Sequence, residues 1–103
     1  MERKTLIILP HSFSTTERLI AVAVSKIAHS CGGTVCYTSA EHPSFEKLEE
    51  RHQDRVRAVL GDGGKVYAFS ACSDLTDMGV VNLGNIHLNA EKRVKAIFAS
   101  AAE

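Results

Sequence analysis

The chain has no net charge, no closely paired cysteines and no long apolar run, and each shortage removes a class of function. Twelve basic side chains offset twelve acidic ones in 103 residues, so neither a nucleic-acid footprint nor a membrane-surface patch is implied. The three cysteines, Cys31, Cys36 and Cys72, form no CxxC pair; without a secretion signal they read as reduced thiols in a cytoplasmic protein. The five histidines, at positions 11, 29, 42, 52 and 87, show neither HxxxH nor HExxH spacing, so no metal and no cofactor is expected. The opening "MERKTLIILP" starts basic, but its apolar run "LIIL" stops at Pro10, too short for a signal-peptide core or a bilayer span. The run "LIAVAV" is ended by Ser25 and Lys26. These exclusions leave a single domain, residues 1–103, whose partner is a protein or a small molecule rather than nucleic acid or membrane.

What is present is an alternation of short β-rich runs and amphipathic stretches. "KTLIIL" (4–9), bounded by Pro10, reads as a buried first strand. Ser14 followed by Glu17 has the form of a capping box. Leu19, Ile20, Ala23, Val24 and Ile27 then recur at helical spacing until Gly32-Gly33, which predicts a helix over Thr15 to Cys31. "TVCYTS" (34–39) reads as the second strand. A second helix follows, about Phe45 to Leu60, with Phe45, Leu48, His52, Val56 and Val59 on its apolar face. "KVYAFSA" (65–71) is a third strand and "NIHLN" (85–89) a short fourth. Asn89 caps a final helix with Val94, Ile97, Phe98 and Ala101 on one stripe. Periodicity alone gives a small parallel α/β sheet.

The stretch "DLTDMGVVNLGN" (74–85) bears on that inference. As a helix over 74–83 it places Leu75, Met78 and Val81 on one face, with Ser73 or Asp74 as cap and Gly84 at the C′ position. As a strand it lacks alternation and carries Gly79 in the middle. The helical reading is the expectation.

Within it, "MGVVNLG" (78–84) resembles the Met-Gly-aliphatic-x-x-Leu-Gly signature on the second helix of HPr-like phosphocarriers of the sugar phosphotransferase system. The element order is similar too: "TLIIL", loop "PHSFS", helix "TTERLIAVAVSKIAHS", strand "GTVCYTS", then "GKVYAFSA" before the signature and "IHLNAEKRVKAIFASAAE" after it. The resemblance implies an α+β fold, an open-faced β-sandwich of four antiparallel strands ordered β-α-β-[inserted α]-β-α-β-α, with residues 40–63 as an inserted helical segment. It also implies protein partners of the phosphotransferase type, docking on Met78 and Val81, and it aligns Thr76 with a regulatory serine. Thr76 also has a plain reading, as a helix-start threonine between Asp74 and Asp77, which disfavour an added phosphate.

The chemistry departs from the family. Its phosphoacceptor histidine sits in a Leu-His-x-Arg-Pro pattern, where this chain has Phe13, Ser14, Thr15, Thr16 and Glu17. A serine ester is too stable for rapid relay, so the resemblance leaves a regulatory or protein-interaction module rather than an enzyme. His11 is the remaining candidate acceptor, with Ser12, Ser14, Thr15 and Thr16 lining an anion site; its plain reading is a loop histidine before a polar helix start. An alternative fold is a small parallel three-layer α/β domain similar to the EIIB domains of sugar transport. Loop 10–17, "PHSFSTTE", would then hold an anion or ligand at a helix N-terminus without the family's cysteine. A third reading is a module that binds nothing small. Strand direction separates the first two.

Overall fold

A computed structural model describes residues 5–10, 15–38, 43–84 and 89–101, with only the backbone of Pro10, Ser100 and Ala101. The elements are β1 (Thr5–Pro10), α1 (Thr15–Ser30), β2 (Thr34–Thr38), α2 (Glu50–Gly61), β3 (Lys65–Phe69), α3 (Ser73–Asp77), β4 (Val81–Gly84) and α4 (Ala90–Ala101). The four strands form one sheet in the order β2-β1-β3-β4. Every neighbouring pair is parallel: Ile7 lies opposite Val35 on β2 and Tyr67 on β3, and Tyr67 lies opposite Val81 on β4.

This corrects the antiparallel open-faced sandwich. Parallel neighbours cannot be joined by a hairpin; they need a crossover of a dozen or more residues. Residues 39–64 supply one. The segment 40–63 is therefore no insertion: it carries α2, the connection between β2 and β3.

The strand order also sorts the helices. The chain steps from β1 outward to β2 on one side, then back across β1 to β3 and on to β4. Right-handed crossovers in opposite directions fall on opposite faces. Accordingly α1 packs with Ile7, Leu9 and Phe69 on one face, joined there by α4 through Ala90, Val94 and Phe98. Val56 and Val59 of α2 and Leu75 of α3 pack with Leu6, Ile8, Val66 and Ala68 on the other. A central strand sandwiched this way must be apolar on both sides. Leu6, Ile7, Ile8 and Leu9 are all fully buried, which accounts for the unbroken "LIIL" run.

The helix α1 spans the expected residues to within one position, but its apolar stripe is rotated. Ala21, Val24 and Ala28 are buried, with Ile20 and Ile27 packed beside them, while Leu19 is 67% exposed. The helix α2 starts five residues later than expected, because the preceding N–H groups have other acceptors. The Lys47 N–H donates to Ser44 Oγ at 3.2 Å and the Glu46 N–H to Asp74 Oδ2 at 3.3 Å. Side-chain acceptors of this kind offer the backbone an alternative to the helix. Phe45, Leu48, Val56 and Val59 nevertheless pack into the core as expected. The final helix buries Val94 and Phe98; the start of the expected strand over 85–89 lies outside the described residues.

Candidate functional site

The stretch 74–85 is part helix and part strand, which corrects the expectation of a helix over 74–83. The helix α3 covers Ser73–Asp77 only, and Met78 is its cap residue. The Val80 N–H donates to Leu75 O and the Gly79 N–H to Thr76 O, both at 3.1 Å. That pair of bonds is a Schellman ending, with Gly79 at φ 102° as the left-handed residue and Leu75 and Val80 as its apolar contact. Both are buried in the same core cluster. The β-branched pair Val80-Val81 then enters β4. The seven residues that resemble the phosphocarrier signature thus form a cap, a turn and a strand.

Met78 and Val81 are consequently not neighbours on one helix face, as the docking reading required. Met78 is half-buried against the core beside Leu75, whereas Val81 is 43% exposed on the edge strand. Two substitutions check this geometry. Gly79→Val forces a branched side chain to positive φ and is expected to cost at least about 1 kcal/mol. Met78→Asp places a carboxylate against the core and should also lower the thermal midpoint. A Met78→Asp variant as stable as the parent would contradict the packing described.

The carboxyl ends of the strands hold the remaining candidates. From β1 the chain departs to β2 on one side, and from β3 to β4 on the other. The strand order therefore reverses direction between β1 and β3, and the carboxyl ends of the strands at such a point are where open α/β sheets collect ligands. The helix α1 begins at this edge, with Thr15 and Thr16 exposed in its first turn. The dipole of α1 favours negative charge there, against the acidic Glu17 of the same turn. His11, Ser12 and Ser14 lie outside the described residues, as does Ser14's part in the capping box.

On the same edge the chain leaves β3 through Ser70, which sits at φ 54° in the left-handed region. Three hydrogen bonds order this turn and the end of β4 beside it. The Ser70 N–H donates to Gly84 O at 2.8 Å. Asn82 Oδ1 accepts from the Ala71 N–H at 3.2 Å and from the Gly84 N–H at 2.9 Å. Asn82 also marks an irregularity, since Ala68 lies opposite Asn82 but Phe69 opposite Gly84, so that Leu83 is passed over. Bulges of this type re-aim side chains beside functional edges. Arg93 of α4 completes the edge: its guanidinium donates to Leu83 O beside Gly84. The described part of this edge therefore combines the first turns of α1 and α4, which carry Glu17 and Glu91, with the Arg93 guanidinium.

Ser70, Asn82 and Arg93 were not among the sequence candidates. An Asn two residues before Gly is the form of an Asx turn and was readable; nothing in the sequence marks Ser70 for positive φ. Thr76, aligned with a regulatory serine, is exposed, and its Oγ1 donates to Ser73 O at 3.0 Å inside α3.

Elsewhere, Cys36 of β2 is buried beneath α2, with Arg55 Nη1 at 4.0 Å from its sulfur. Burial pushes this thiol above its ordinary range, and the opposing pull of Arg55 and Arg51 is smaller. It stays protonated at neutral pH and is a poor nucleophile. His52 turns toward the interior with Nδ1 buried and without a hydrogen-bond partner, a packed position on α2 rather than a site. Among the described residues no group of three or more His, Cys, Asp or Glu is placed to hold a metal ion. None of the described helices is long and apolar enough to cross a membrane. Compared with protein-family models, curated proteins and solved structures, the chain matches none.

Proposed function

We propose that this protein is a small α/β ligand-binding domain that holds an anionic group at the carboxyl edge of its sheet, between β1 and β3. The observation that carries this reading is the reversal of strand order at β1 and β3 in an all-parallel sheet. In such sheets ligands gather at that point for a geometric reason: two diverging connections leave a gap that neither helix layer covers. The sign of the ligand follows from what stands at this edge. The first turn of α1 presents the hydroxyls of Thr15 and Thr16 and the positive end of the helix dipole, set against the acidic Glu17 of the same turn, and Arg93 adds a guanidinium on the same edge. A phosphate ester fits this chemistry.

In this reading loop 10–17 binds and does not relay. Ser14 stands where a phosphocarrier has its histidine, and a serine ester does not turn over quickly. The protein-interaction role drawn from HPr-like carriers has less support, since its two docking residues lie on different elements, one of them half-buried.

Calorimetric titration with inorganic phosphate and with glucose 6-phosphate tests the proposal. Saturable binding is expected, and Arg93→Ala should weaken it about tenfold, the loss typical of one charge-assisted contact. Arg57→Ala serves as a control: it removes the same charge from α2, where Arg57 stacks on Phe45. Equal weakening by the two variants would mean general electrostatics without a site. Failure of both anions to bind saturably would overturn the anionic assignment.

A further inference from the structure

We draw no further inference here: the strongest candidate, the three histidines His11, His42 and His87 that follow β1, β2 and β4 in sequence, carries nothing because all three lie outside the described residues.

Discussion

Ile7→Asp and Ile8→Asp will each abolish the cooperative thermal transition. The two residues are adjacent on β1, point to opposite faces and are both fully buried, one under α1 and α4, the other under α2 and α3. An unpaired carboxylate in such a place costs about 3–5 kcal/mol, a large part of the roughly 5–15 kcal/mol that holds a domain of this size together. The pair of results carries more than either alone. In an open-faced sheet with helices on one side, adjacent strand residues alternate between core and solvent, and one of the two aspartates is tolerated. In a three-layer domain neither is. Tyr37→Asp, on the edge strand where Tyr37 is 43% exposed, should keep a clear melt followed by circular dichroism.

Gly33→Ala is expected to destabilise by about 1–3 kcal/mol, the usual range for overpacking a filled core. The cause is steric. A Cβ on Gly33 falls 2.5 Å and 2.8 Å from two ring carbons of Phe98, on the helix that covers this end of α1. Phe98 is itself 8% exposed and packed among Ile7, Val24 and Ala28, so the ring has little room to retreat. Shortening the ring should relieve the clash. Phe98→Leu alone leaves a cavity, but in the Gly33→Ala background it should recover part of the loss, giving a coupling of at least about 0.5 kcal/mol in a double-mutant cycle. Strict additivity of the two changes would place Phe98 away from Gly33.

Much of the fold was legible because its strongest signals are local. The continuous "LIIL" run, the stripe of α1 and the Gly32-Gly33 and Gly63-Gly64 pairs each act within a few residues. The helices α1 and α2 end by the same hydrogen-bond pattern, with the Gly33 N–H on Ala28 O at 2.8 Å and the Gly64 N–H on Val59 O at 2.9 Å. The third ending follows that rule at Gly79, not Gly84. The stretch 74–83 has two glycines, and a helical wheel drawn through the first one produces a false stripe of Leu75, Met78 and Val81. The β-branched Val80-Val81 immediately after Gly79 was the signal that the strand begins there.

Strand direction was less legible, because it depends on how distant segments pair. The resemblance of "MGVVNLG" to a phosphocarrier helix pointed to an antiparallel sheet, while the length of the connection from Thr38 to Lys65 pointed to a parallel one. Connection length reflects a geometric requirement of the chain, whereas a seven-residue likeness does not. The site divides in the same way. The start of α1 was readable from its capping pattern, and Thr15 and Thr16 with it. Ser70 and Arg93 were not: Ser70 fell inside the strand expected over 65–71, and Arg93 gains its place by donating to Leu83 O of β4, in a stretch expected to be helical.

The proposed ligand site is the carboxyl edge of the sheet between β1 and β3. Amide chemical-shift mapping of the 15N-labelled protein with glucose 6-phosphate tests it most directly. The predicted result is saturable shifts at Thr15, Thr16, Ser70 and Ala71, with Gly32 and Gly63 at the opposite edge unmoved. Shifts centred on that opposite edge, or on the exposed Leu19 and Val22 of α1, would contradict it.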